Sequence, residues 1–220
     1  MATLLSEFTK KIRPKVPMCP SIIMEEAFID ALQELCRRTQ ILKRSFEVEV
    51  ETTDVTAADN DSVEIDLSTL FPDYRPIRVL QTKQDNTPYT PEHLVVETDL
   101  ADFARHYDIT TKKYYNFSGE QTIKFFPFDI DDTVTLFLEV VFKPLDAATS
   151  VDDFFYTEWL DVLVDGALWY LMDMDNQPWA NKNEAAKRRR FFNAGIGRAQ
   201  ILHQRIENDR GRVVRMAMDF

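Results

Sequence analysis

With 220 residues, 45% of them hydrophobic and 12% aromatic, the chain can bury one sizeable core, or one core plus a satellite subdomain, which excludes a disordered protein. Its 5 glycines leave little room for Gly-rich phosphate loops or flexible linkers, and no run of about 18 apolar residues is present to span a membrane. The formal net charge of −11 disfavours tight binding to DNA.

Along the chain, residues 4–12 read as a short helix or arm, which Pro14 and Pro17 stop. A helix is predicted over 20–38, where Ile23, Ala27, Phe28, Ala31, Leu32, Leu35 and Cys36 share one face. Pro20 suits the first turn, and Arg37 and Arg38 suit the C-terminal end of the dipole. From Arg44 the period changes to two. Phe46, Val48 and Val50 alternate with Glu47, Glu49 and Glu51, as in a strand with one wet face. Further strands are predicted at 63–67, 77–82, 94–98, 122–126 and 133–142. Polar and Pro-containing connectors at 59–61, 86–88 and 127–129 separate them into an antiparallel β region.

After Pro144 the helical period returns. Residues 151–173 are apolar on more than one face, so this helix is expected to be buried on several sides. Asn176, Gln177 and Pro178 break it. A second helix is predicted over 183–207 with a seam of Phe192, Gly195, Ala199, Leu202 and Ile206. Gly195 and Ala199 are small and one turn apart, so another helix backbone can approach closely. Residues 208–220 read as an extended tail. The fold class is therefore α+β: a helical bundle from the N- and C-terminal helices with an inserted antiparallel β region. The expected divisions are a discontinuous helical core of 1–43 and 144–207, a β insertion of 44–143, and the tail.

Catalytic patterns are missing. There is no GxGxxG, P-loop, HExxH or GxSxG. His93, His106 and His203 are far apart in sequence. Cys19 and Cys36 lack zinc-ligand spacing and read as reduced, buried thiols of a protein made in a cytoplasm. The N-terminal stretch does not read as a secretory signal. Asp59, Asp61 and Glu64, and Asp129, Asp131 and Asp132, are spaced loosely like cation ligands, but a calcium loop needs more ligands and a turn glycine, so solvated loops are the better reading. No cofactor or metal is expected. A carboxylate-dependent hydrolase is the alternative from another class, yet no pair of acids stands out.

The charge is unevenly distributed. Residues 144–181 hold 8 acids and no Lys or Arg, while residues 182–220 hold 10 basic and 4 acidic residues, net +6. Asp152, Asp153, Glu158, Asp161 and Asp165 can therefore pair with Lys187, Arg188, Arg189 and Arg190, within the chain or between copies of it. The run of four basic residues also permits a DNA-binding accessory protein. Spread round a helix in an acidic chain, it fits protein contact better.

Two segments carry a family likeness. Val16-Pro-Met-Cys-Pro20 leads into a helix with Ile23, Glu26, Ala27, Ala31, Leu35, Cys36 and Thr39. Later, Asp165-Gly-Ala-Leu-Trp-Tyr-Leu-Met172 is followed by Gln177-Pro-Trp179, Ala185, Phe191-Phe192, Gly195 and Ala199. Both segments resemble, in order and approximate spacing, the head-to-tail adaptor (connector, neck) proteins of tailed bacteriophages. The β region resembles that family only in length and texture.

The resemblance implies a non-enzymatic virion protein at the head–tail junction. Its implied partners are the portal protein, a tail or nozzle protein, and further copies of itself in a ring, commonly of twelve. Genome DNA would pass through without specific binding, and no membrane is involved. It also implies a terminal segment reaching into the portal. Here the candidates are Arg210, Arg212, Val213, Val214, Arg215, Met216, Met218 and Phe220. A stopper or tail-completion protein of the same neck is the nearest alternative.

Overall fold

The computed structural model describes the backbone of residues 2–50, 63–84, 87–88, 90–91, 114–117, 121–126 and 134–216, and side chains through residue 202 except in a few strand positions. The predicted strand at 94–98 and the connectors at 59–61 and 127–129 lie outside these residues. The chain divides into two compact units, one of residues 1–41 with 143–220 and one of residues 42–142. The class is mixed α+β, with helices from both ends of the chain.

The helical unit begins with strand β1 (Ala2–Leu4) and helix α1 (Leu5–Ile12). Helix α2 (Ser21–Thr39) follows and buries Met24, Ala27, Phe28, Ala31, Leu32, Leu35 and Cys36 along one side. The stripe expected from the sequence is met from Ala27 to Cys36, but Ile23 is only half-buried and Met24 takes its place. Gln40, at φ 54°, closes the helix in the left-handed conformation, and its N–H bonds the Cys36 carbonyl at 2.9 Å. Phe8 of α1 lies 4.2 Å, ring to ring, from Phe28.

The chain returns to this unit through strand β10 (Ser150–Asp152), helix α4 (Asp153–Glu158) and helix α5 (Leu160–Asp173). The single helix expected over 151–173 thus starts late and is broken once. Residues 150–152 instead pair antiparallel with β1, Thr3 opposite Val151. At Trp159 the backbone leaves the helical region (φ −123°, ψ 7°). The indole is buried there, and α5 restarts with Leu163 N–H bonding the Trp159 carbonyl at 3.0 Å. Tertiary pairing and seating of a large ring outweigh an unbroken helical period at these points.

Asn176, at φ 58°, makes the turn before the last helix, α6 (Lys182–Met216). Asn181 starts α6 by accepting the Glu184 N–H on its side-chain oxygen at 3.1 Å. The helix runs nine residues beyond the predicted end at 207. Residues 208–216, expected to be extended, are helical. Gly211 alone does not stop a helix, and Arg210, Arg212 and Arg215 sit at the end where the macrodipole favours cations.

The core of the unit is where α2, α5 and α6 meet. A Cβ added to Gly166 of α5 would lie 2.8 Å from Ala31 Cβ of α2 and 2.8 Å from the Phe192 ring of α6. Small residues at these crossings let three helix backbones come together.

In the β unit, one sheet has the order β2 (Lys43–Val50), β9 (Val134–Pro144), β4 (Tyr74–Gln84), β5 (Thr87–Pro88). The other has the order β3 (Val63–Asp66), β8 (Thr122–Phe126), β7 (Tyr114–Phe117), β6 (Thr90–Pro91). The last two residues of β9 count with the helical unit. Strand β2 alternates as predicted, with Glu47 and Glu49 exposed and Val50 buried. Its partner β9 runs antiparallel, Phe46 opposite Leu138.

One pairing departs from the antiparallel expectation, since β6 runs parallel to β7 over two residues. The short helix α3 (Leu67–Leu70) also replaces the end of a predicted strand. Asp66 caps it by accepting the Ser68 N–H at 2.8 Å, and the Ser68 hydroxyl, followed by this backbone bond, holds its carboxyl below the usual range. No helix among the described residues is long and apolar enough to cross a membrane.

Candidate assembly interface

The charged residues singled out in the sequence lie on α4, α5, α6 and the strand before them. The α5–α6 pair brings two of them together. Arg188 donates from one terminal nitrogen to Asp165 Oδ1 at 2.6 Å and from Nε to Glu184 Oε1 at 2.9 Å. Side chains of Arg188 and Asp165 are each only 20% exposed, so water screens this bridge less than a surface pair. The planar guanidinium fork suits two carboxylates at once, where a lysine ammonium would not. The Asp165 hydrogen bond raises the Arg188 pKa still further, and the side chain stays charged.

The other charges do different work. Arg189 stacks over the Trp169 ring, 5.0 Å from its centroid, and Trp169 in turn lies on Tyr170 at 4.6 Å. Lys187 reaches Glu184 loosely, at 3.8 Å. Asp153 accepts the Thr3 hydroxyl at 2.7 Å, and Asp152 sits in β10 opposite Ala2. Glu158, Asp161 and Arg190 are exposed and make no ion pair among the described residues.

Several participants escaped the sequence reading. Glu184 stands four residues before Arg188, a spacing that signals a helical ion pair. Lys182 bridges Asp173 and Asp175, at 3.1 and 3.0 Å, and ties the end of α5 to the start of α6. Arg38 of α2 donates to the Asn193 side chain at 2.8 Å, while Gln200 donates to the Arg38 carbonyl at 3.0 Å. No local pattern announces those long-range contacts.

The second candidate region is the end of α6. Ala199 is the last buried residue described on this helix, and Ile201 and Leu202 are exposed. From residue 200 to Met216 the helix continues for about 25 Å at 1.5 Å per residue. Arg210, Arg212, Val213, Val214, Arg215 and Met216 are on this stretch, and Met218 and Phe220 lie outside the described residues.

Of the loosely spaced acids, Glu64 pairs with Lys124 at 3.4 Å, and Asp59, Asp61, Asp129, Asp131 and Asp132 lie outside the described residues, as do His93 and His106. Among the described residues, no group of three or more His, Cys, Asp or Glu side chains could hold a metal ion. Cys19 and Cys36 are both buried and unpaired, and burial pushes both thiols up.

No curated protein matches the chain. A family model described as "SU10 adaptor protein" matches residues 12–217, which include both segments of the phage-adaptor likeness and the β region between them. Such a family places a structural protein at the neck of a phage virion, in association with portal and tail components. From the α2 stripe through the α5–α6 pair, the chain belongs to the SU10 adaptor protein family.

Proposed function

We propose that the chain assembles as a ring on the phage portal, joins the capsid to the tail, and lines the passage through which the genome moves. The end of α6 is the portal-contacting segment in this reading. The observation that carries it is that α6 runs on as helix from residue 200 to Met216, about 25 Å, and bears Arg210, Arg212 and Arg215 there. A long helical end that mixes arginines with Val213, Val214 and Met216 is an element that a groove in another protein can take.

The net charge of −11 supports the second part of the reading. Acidic residues on a channel wall repel the DNA backbone, so the genome slides instead of sticking. Tight binding of duplex DNA by the assembled protein at moderate salt would contradict this.

Deletion of residues 209–220 tests the portal contact. The truncated chain is expected to keep the melting behaviour of the full chain and to lose assembly on portal rings. A truncated chain that still assembles normally contradicts the proposal. Co-assembly with tail parts but not with portals would favour a stopper or tail-completion role.

A further inference from the structure

The outer side of α6, turned away from the buried Phe192, Ile196 and Ala199, carries exposed apolar side chains among basic ones. Lys187, Phe191, Arg198 and Leu202 recur there at intervals that keep them on one face of the helix. Phe191 and Leu202 are each 48% exposed. Arg190 and Arg198 make no ion pair among the described residues. This face therefore interleaves basic and apolar side chains.

Helix α4 and the start of α5 present the opposite chemistry. Phe154 is 42% exposed and lies one turn from the exposed Glu158, with Asp161 exposed just beyond the break at Trp159. This face is apolar and acidic. Both faces belong to one chain, yet each remains open, so the chain does not cover one with the other.

We propose that the Phe191–Leu202 face of α6 is a contact between copies of this chain, and that it takes Phe154, Glu158 and Asp161 of a second copy. The charges complement one another, and two aromatic side chains supply the apolar anchors that dominate such contacts. A nucleic acid is the less suitable occupant. Arg188 is neutralised by Asp165 and Glu184, Arg189 is laid on Trp169, and the acidic residues stand nearby on the preceding helix. The inference rests on the reading of the chain as a multi-copy assembly, and it names the surface through which the copies meet.

Sedimentation equilibrium of the full chain at low salt tests it, using two charge reversals at exposed sites, R190E/R198E and E158K/D161K. The unaltered chain is expected to self-associate. Each reversed variant alone should associate about tenfold more weakly or worse, and an equimolar mixture of the two should recover. Recovery follows because each altered face then meets its complement. Variants that associate like the unaltered chain overturn the proposal, as does a mixture that fails to recover. An unaltered chain that stays monomeric up to millimolar concentration also overturns it. So does loss of duplex-DNA binding in R190E/R198E with self-association unchanged. Portal binding is read separately: if R190E/R198E still forms rings on portals, this surface alone is refuted, whereas an unaltered chain that never binds portals refutes the adaptor role instead.

Discussion

Gly195 of α6 faces Val162 of α5 so closely that a Cβ on the glycine would lie 2.5 Å from one Val162 methyl and 2.6 Å from the other. Val162 is buried and branched at Cβ, so it cannot swing aside cheaply. Gly195→Ala is expected to destabilise the protein by about 1–3 kcal/mol, despite the better helix propensity of alanine. Gly197, two residues on, has nothing within 4 Å of its missing Cβ. There the same change should stabilise by about 0.5–1 kcal/mol. Thermal melts of the two variants are expected to move in opposite directions.

Across the same helix pair, Asp165 and Arg188 should be energetically coupled. A double-mutant cycle with Asp165→Ala and Arg188→Ala is expected to give about 1 kcal/mol of coupling, reduced in high salt. Arg188→Lys should not recover the loss, because Nε and a terminal nitrogen serve different carboxylates. Lys182→Ala, at a site 55% exposed, should leave the melting temperature almost unchanged.

Gln33 is a buried polar residue joining α2 to the end of β9 and the turn that follows it. Its amide nitrogen donates to the Pro144 carbonyl at 2.9 Å and to Asp146 at 2.6 Å, and Lys143 donates to its oxygen at 3.1 Å. Gln33→Leu keeps the volume but removes the donor to the buried Pro144 carbonyl, while the exposed Asp146 turns to water. Urea unfolding should show a loss of about 1–3 kcal/mol.

Asp30 gives the stability a pH dependence of definite sign. Desolvation, with the carboxylates of Asp146 and Glu26, raises its pKa above the usual 3.8, against the pull of Lys143. An acid raised in the folded state favours folding while protonated. That contribution is complete below the unfolded pKa and is lost as pH rises through the folded one. Asp30→Asn mimics the protonated acid. It should raise the melting temperature at pH 7 by about 1–2 °C, since the side chain still meets solvent, and the gain should fade toward pH 3.

Elements with strong local periodicity were legible from the residues alone. The apolar stripe of α2 and the Phe46–Val50 alternation of β2 dictate their own structure, because each needs one buried face. The close packing at Gly195 was legible for a similar reason, as a small residue in an apolar seam invites a backbone. Position-dependent competition was not legible. Nothing near Val151 announces that it will pair with Thr3, nearly 150 residues away, and only the burial of Trp159 explains why one helical pattern becomes two helices. The acidic and basic segments were plain in the sequence, but the choice of Asp165 for Arg188, and of an aromatic ring for Arg189, depends on how α5 and α6 rotate against each other. The helical state of residues 208–216 was hidden by Gly211 and the β-branched Val213 and Val214, whose propensities argue weakly against helix.

Electron microscopy of the full chain mixed with isolated portal rings of its phage tests the adaptor role most directly. The expected particle is a portal carrying one additional ring of this chain, lost on deletion of residues 209–220. Portal particles unchanged by saturating amounts of the full chain would contradict it.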